Sequence, residues 1–303
     1  MTYAEEQLRL SIAIPTYRRE EVLVATIEYL LALKPPACEI LILDQTETHT
    51  TETHARLNSL AECGAIRWLR LQPPSIPAAM NVGLLEATHD IVLFLDDDVR
   101  PEPELIEAHL QAHAVHLDGL VAGRVIQPWQ EGIDFGARIE QDFHFASTAP
   151  AFIHEFMGGN FSVRREVALQ MGGFDENFVK VAYRFEAEFA ARFVARGGLI
   201  LYEPRACLHH LKEVAGGTRT FGEHMTTWRP DHAVGAYYYS LRCGQLHDFV
   251  VRPCRAIATR YHLKHPWRIP ATLLAELGGM FWALRLYVRG PKRLAQAVRK
   301  GMS

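Results

Sequence analysis

The sequence predicts an α/β protein: a mostly parallel central sheet flanked by helices, followed by a helical C-terminal extension. Three observations carry that expectation. Short apolar runs of strand length alternate with stretches whose apolar residues recur at helical spacing, the pattern that builds a parallel sheet covered on both faces. Three of those runs end in the polar segments "IPTYR", "LDQTE" and "LDDDV", and such sheets bind ligands outside the carboxyl ends of their strands. Beyond residue 220 the strand alternation stops and the chain reads as helical, basic and aromatic.

Taken in order, "LRLSIAI" and "EILIL" are the first two strands, with "REEVLVATIEYLLAL" as the helix between them. "AIRWLRL" is a third strand, "IPAAMNVGLLEAT" a helix and "DIVLFL" a fourth strand. Pro101 suits a helix start ahead of "PELIEAHLQAHA". "GLVAGRVIQ" is a further strand, residues 128–154 are rich in loop, and "GGNFSVRREVALQMGGFDE" reads as strand, short helix and Gly-rich turn. "YRFEAEFAARFVARGG" is a helix with Phe185, Phe189 and Phe193 along one side and a glycine pair as its stop.

A chain of 303 residues, 49% hydrophobic and 22% charged, suits one large globular domain or one domain with an appendage. The net charge of −3 conceals an asymmetry. From Val251 onward the basic residues are Arg252, Arg255, Arg260, Lys264, Arg268, Arg285, Arg289, Lys292, Arg293, Arg299 and Lys300, against the single acid Glu276. Such a tail seeks an anionic partner: a membrane surface, a nucleic acid or an acidic face of its own protein. The five cysteines are scattered without a CxxC pair, which argues against a disulfide framework or a zinc site and for reduced thiols. "MTYAEEQLRLSIAIP" lacks the basic start and long apolar core of a signal peptide. The longest C-terminal apolar run, "LGGMFWAL", is bracketed by Glu276 and Arg285, too short for an uninterrupted membrane span. The expected location is the cytoplasm.

"FLDDDVRPEP" holds three successive carboxylates after a greasy strand. Like charges so close need water or a cation nearby. Side chains alternate along an extended segment, so Asp96 and Asp98 point one way and Asp97 another. Two hard oxygen donors on one side suit Mg²⁺ or Mn²⁺ bridging a diphosphate, although a solvated acidic turn would read the same.

The ordered series "SIAIPTYRRE", "LILDQTE", "NVGLLEATHDIVLFLDDDVRPEP", "GGNFSVRREVALQMGGFDE" and "FEAEFAARFVARGG" resembles the family-2 nucleotide-sugar glycosyltransferases of GT-A fold, over about residues 8–220. The resemblance implies a catalytic domain at 1–220, with 221–303 as extension. It also implies transfer of a sugar from a nucleoside diphosphate-sugar, UDP- or dTDP-linked, to an acceptor hydroxyl, with inversion and a divalent metal. By the same resemblance Pro15, Thr16 and Tyr17 hold the nucleotide, Tyr17 flanking the base, and Asp44 hydrogen-bonds the base. Asn81 and Gly83 fall in a helix that in the family often carries an arginine, where this chain has Met80. Asp96 is the first aspartate of the DxD motif and Asp98 the metal ligand, with Asp97 toward ribose or sugar. Gly158, Gly159 and Asn160 match the acceptor side of the cleft.

An inverting transfer needs a carboxylate to take the proton from the acceptor hydroxyl, a contribution of about 10²–10⁴-fold. Alignment through Arg192 and Gly197 puts Glu186 in the family's base position, as Glu rather than Asp. Glu188 is the rival, but residues two apart on a helix face nearly opposite ways, so only one can enter the cleft. In "CLHHLKEVAGGTR" the resemblance implies a metal-ligating His209 or His210, with register favouring His210. Arg219 would then neutralise the departing diphosphate, and Gly216 and Gly217 suit a loop that closes over the donor.

In the tail, Leu273, Leu274, Leu277, Met280, Phe281, Leu284 and Tyr287 share one helical stripe, with Trp267 and Trp282 nearby. Such a stripe packs on the catalytic domain or, given its basic neighbours, lies in a membrane interface and serves a lipid-linked or polysaccharide-precursor acceptor. Other classes fit less well. A nucleotidyltransferase would carry a Gly-rich basic loop where "PTYRRE" stands, and an aspartyl phosphatase would want Thr or Val where Arg100 stands. A non-catalytic nucleotide-binding or membrane-surface protein of the same fold stays open, while no nucleic-acid-binding motif is present.

Overall fold

The computed structural model describes residues 8–116, 118–136, 145–222 and 226–294. Arg299, Lys300 and the first seven residues lie outside that range. The N-terminal half is β1 (Leu10–Thr16), α1 (Glu21–Leu31), β2 (Glu39–Asp44), α2 (Thr51–Glu62), β3 (Arg67–Arg70), α3 (Ile76–Glu86), β4 (Ile91–Leu95), β5 (Val99–Pro101) and α4 (Leu105–Val115). Pro101 does not open a helix but ends β5, where it pairs with Leu208 of a later strand, and α4 starts four residues on. Helix α2 was not anticipated; Thr50 caps it by accepting from the Thr53 N–H at 3.2 Å, and only Thr53, Leu57 and Leu60 are buried. So short an apolar stripe is a weak periodic signal.

The second half comprises β6 (Leu120–Ile126), β7 (Ala151–Ile153), β8 (Asn160–Arg164), α5 (Arg165–Gln170), α6 (Phe185–Ala195) and β9 (Ile200–His210). Helices α7 (Ala233–Arg242), α8 (Leu246–Ile257), α9 (Arg260–Lys264) and α10 (Ile269–Arg289) follow. The strands form one sheet in the order β3-β2-β1-β4-β8-β6-β9-β5, with β7 also on β9. Neighbours run parallel from β3 to β4 and again at β6–β9; β8, β5 and β7 pair antiparallel, so the sheet is parallel in its first half and mixed in its second.

Both faces of β1, β2 and β4 are buried, which is why these strands read as continuous apolar runs. Ile12, Ile14, Ile42 and Leu93 point to the layer of α1, α2 and α4, whereas Ala13, Leu41, Leu43 and Phe94 point to α3, α5 and α6. Phe185, Phe189 and Phe193 do lie together in that second layer. The same core continues into the C-terminal helices through Tyr237 and Tyr238 of α7 and Ala283 and Leu286 of α10. The chain after Gly290 then returns to the turn after α5: the Leu294 N–H donates to Gly172 O at 2.9 Å and Lys292 pairs with Glu176 at 2.8 Å.

Helix α10 turns most of its large apolar stripe outward rather than onto the catalytic domain. It buries Ala275, Gly279 and Ala283, while Leu274, Phe281 and Val288 are 64%, 67% and 84% exposed. A Cβ on Gly279 would lie 2.7 Å from the Ala233 Cβ, so close approach to α7 selects small residues and turns large ones outward. By length and composition alone the segment Pro266–Arg289 is long and apolar enough to cross a membrane, the charges of Glu276 and Arg285 notwithstanding.

Candidate active site

The carboxyl ends of β1 and β4, the start of α6 and the loop after β9 enclose a cleft of about 330 Å³. Its floor is the Asp96–Asp98 turn. Thr26 of α1 fixes that turn, donating to the carbonyls of Asp97 and Val99 and accepting from the Val99 N–H, each at 3.1 Å. Pairing of Val99 with His210 in the β5–β9 ladder then sets the imidazole beside the aspartates. Ligand atoms of Asp96, Asp98 and His210 all lie within 4.8 Å of one another. His210 Nε2 is 3.1 Å from Asp98 Oδ1 and 3.9 Å from Asp96 Oδ2. On its other side Nδ1 meets Gln127 Oε1 at 3.0 Å. A proton on Nδ1 leaves Nε2 free to ligate, the usual outer-shell arrangement of a metal-binding histidine. Two carboxylates and a braced imidazole fit a hard divalent cation such as Mn²⁺ or Mg²⁺. His209 faces the other way, onto Glu102 and Glu131.

The three aspartates ionise differently. Burial acts against the Asp98 anion but is outweighed by His210, Arg19 and the Glu213 N–H, which donates at 2.8 Å; its pKa is lowered. Burial also acts against the His210 cation, and the hydrogen bond with Asp98 overrides it, so the histidine is raised. Asp97 is pushed up to about 7 by burial despite its ion pair with Arg19 at 3.1 Å. Asp96 is raised by the same cause, with Asp98 adding to it. Its side chain is 48% exposed to the cleft, so solvent tempers that rise more than it does for buried Asp97.

Arg19 was not singled out from the sequence, yet it is central. Its buried guanidinium joins Asp97, Asp98 and the carbonyls of Glu213 and Ala215, tying the end of β1 to the loop after β9. The Gly217 N–H also donates to Tyr17 O at 2.7 Å, and a Cβ on Gly216 (φ +76°) would strike the Arg18 carbonyl at 2.1 Å. These glycines therefore let the loop lie directly on the Tyr17–Arg19 backbone. Arg19 follows its apolar strand like any surface arginine, and only the tertiary pairing distinguishes it.

Pro15, Thr16, Tyr17, Gly158, Gly159 and Arg219 all line the cleft. Arg219 Nη1 is buried there without a hydrogen-bond partner among the described residues. Gly159 is needed for space: a Cβ would lie 2.1 Å from Asp96 Oδ2. Helix α6 presents Glu186 to the cleft, where burial pushes its pKa up to about 7 and Asp96 and Glu155 add to the rise. Glu188 points away and is spent on Arg192 at 2.9 Å and Arg293 at 2.6 Å. Just before α6, Lys180, Ala182 and Arg184 all adopt positive φ, a concentration of backbone strain on the cleft wall.

Three of the expected site residues do not line the cleft. Asp44 is fully buried behind the cleft, its carboxylate holding the Thr46 N–H, His49 and Trp68 at 2.9 Å each. Asn81 is also buried, bonded to both backbone groups of Phe174 and to Glu176; it anchors α3 to the turn after α5, and Met80 faces the cleft instead. Asn160 is buried on the carbonyls of Arg124 and Ala206 and on His109. In each case the amide or carboxylate satisfies backbone groups that would otherwise be orphaned in the interior. Gly83, likewise, serves the packing of α3 on Leu43, Ala13 and Phe94.

This parallel half-sheet, with an acidic turn at its carboxyl edge and a glycine loop over it, defines a glycosyltransferase of GT-A fold. The description of glycosyl transferase family 2 matches residues 11–172, and the chain belongs to that family. It is similar to a glucosyl-dolichyl phosphate glucuronosyltransferase of Haloferax volcanii, 22% identical over 229 residues that cover 67% of this chain and 69% of that one. Its fold is similar to that of GalNAc-T7, solved with UDP, GalNAc and Mn²⁺, at a TM-score of 0.57 and 14% identity over 80% of this chain. The chain spans about half, 52%, of that protein's length. Family and fold together support a role in glycosyl transfer.

Proposed function

We propose that the protein is an inverting glycosyltransferase that moves a sugar from a UDP- or dTDP-linked donor to an acceptor hydroxyl. The observation that carries this reading is one cleft that holds the Asp96–Asp98–His210 cluster, the unpartnered Arg219 Nη1 and Glu186. Pro15, Thr16 and Tyr17 would cradle the nucleoside, with Gln45 and Ser75 bordering the same end in place of the buried Asp44. Asp96, Asp98 and His210 would hold Mn²⁺ or Mg²⁺, which when bound neutralises charge growing on the leaving diphosphate. Arg219 would pair with that diphosphate. Glu186 accepts the proton of the acceptor hydroxyl as its oxygen bonds to the anomeric carbon; the bond to the diphosphate breaks and the nucleoside diphosphate departs. Gly158 and Gly159 would leave room for the sugars.

In this reading residues 1–220 perform the transfer and 221–303 form a platform on the cytoplasmic face of a membrane. The outward apolar stripe of α10 supports surface contact. Glu276, held by Tyr237 at 2.7 Å and Arg252 at 3.1 Å, fixes that helix to α7 and α8 and argues against a membrane span. A lipid-linked acceptor agrees with the printed name of the Haloferax relative.

Calorimetric titration with UDP, GDP, CDP and dTDP, each with and without Mn²⁺, tests the reading. One nucleotide should bind in a metal-dependent way, and Asp98→Asn should abolish that binding. No binding of any nucleotide to folded protein would sink it.

A further inference from the structure

A second cavity, of about 510 Å³, lies between α7, α8 and α10. It adjoins the cleft already described, for Val181 and Tyr183 of the strained segment line both. Its walls carry four arginines, Arg184, Arg229, Arg252 and Arg255, against two carboxylates, Asp248 and Glu276. Each guanidinium is steered by one acid: Arg184 by Glu155 at 2.9 Å, Arg229 by Asp231 at 3.1 Å, Arg252 by Glu276 at 3.1 Å and Arg255 by Asp248 at 2.7 Å. A guanidinium has five N–H donors, so one such contact orients it and leaves others for a ligand. The contact of Arg252 with Glu276 runs through Nε, 3.1 Å from Oε2.

We infer that this cavity binds the phosphate of a phosphorylated lipid acceptor, an inference that rests on the glycosyl-transfer reading. Forked guanidiniums are the side chains that grip phosphate oxygens best. Arg184 is two residues from Glu186, so a phosphate held beside Arg184 places an attached hydroxyl-bearing group across Tyr183, on the base side of the first cleft. The helices that wall the cavity also turn Leu246, Val250, Leu274 and Phe281 outward, 63%, 71%, 64% and 67% exposed, where a hydrocarbon chain can run. An acceptor without lipid would leave that apolar surface unused. A neutral acceptor would leave the arginines unused.

Farnesyl phosphate serves as the probe, titrated into the full chain by calorimetry, with farnesol and inorganic phosphate in parallel arms. Binding should weaken about tenfold or more in Arg252→Gln and in Arg255→Gln, as loss of a charge-assisted hydrogen bond implies. Arg255 is 63% exposed, so its variant folds even if removal of Arg252 from Glu276 does not permit folding. Metal-dependent nucleotide binding should persist in both. Equal binding by the variants, or by farnesol, would overturn the phosphate site. Inorganic phosphate binding as tightly as farnesyl phosphate would overturn its assignment to lipid. Loss of nucleotide binding alone would count against the transferase reading and leave this site standing.

Discussion

Helix α6 turns Glu186 into the cleft and Glu188 onto Arg192 and Arg293, and the two carboxylates should answer substitution in opposite ways. Glu186→Gln should lower kcat by about 10²–10⁴-fold while nucleotide affinity holds, the loss expected of a general base. Glu188→Gln should instead destabilise the fold by up to about 3 kcal/mol, the low end for breaking a buried pair, since two part-buried guanidiniums lose a buried anion. Chemical denaturation and steady-state kinetics of both variants separate these outcomes. The pH profile gives a further check. A base must be ionised to act, and burial raises Glu186 to about 7. The rate should therefore climb as pH rises through about 7 and level off above it, with a limb that disappears in Glu186→Gln. The competition between Glu186 and Glu188 could be narrowed in the sequence by helix geometry, but the choice needed Arg293, which arrives from 105 positions downstream.

Among the elements, α4 and β8 share a polar seam inside the core. His109 bonds Asn160 at 3.0 Å and Ser162 at 2.8 Å, and His113 bonds the same hydroxyl at 2.8 Å. Burial depresses His109 to about 4 and His113, with His109 and Arg164 adding, to about 3. An unfolded histidine titrates near 6.5, so between pH 6.5 and these lower values the unfolded chain binds more protons than the folded one. Stability from this seam is thus complete above pH 6.5 and is lost progressively as pH falls toward 4. Urea midpoints measured from pH 7.5 to 5 should decline on the acid side, and His113→Gln should flatten that decline. Asn160 matters here as a brace: it ties β8 to β6 and β9 directly beside Gly159, which Asp96 requires to be a glycine. Its neighbours in "GGN" gave it the look of a cleft residue, while its three hydrogen-bond partners come from distant strands and a helix.

For the molecule as a whole, the basic tail divides its charge between itself and the outside. Arg252, Arg255, Lys292 and Arg293 pair with acids of the protein, whereas Arg260, Lys264, Arg285 and Arg289 make no ion pair among the described residues. On the proposed membrane platform these cations would act on anionic lipid alongside the outward Leu274, Leu277, Phe281 and Leu284 of α10. Wild-type protein should sediment with phosphatidylglycerol-containing vesicles, less so at high salt. Phe281→Asp should weaken this by at least the roughly 1.5–3 kcal/mol that burying one large apolar side chain contributes, with nucleotide binding unchanged. Failure of the wild type to sediment would remove the membrane platform from the proposal.

The sequence by itself determined the alternating half of the sheet, the acidic turn at its carboxyl edge and the pairing of Asp96 with Asp98. Those features are written in local periodicity and in strand alternation, which depend on neighbours along the chain. Only the tertiary structure decided that Arg19 clamps the turn, that Asp44, Asn81 and Asn160 serve the interior, and that α10 faces outward with its large residues. The physical reason is common to all of them. A polar side chain is assigned by whichever buried donor or acceptor would otherwise go unpaired, and an apolar helix face by how closely its neighbour approaches. Both depend on contacts between residues far apart in the chain.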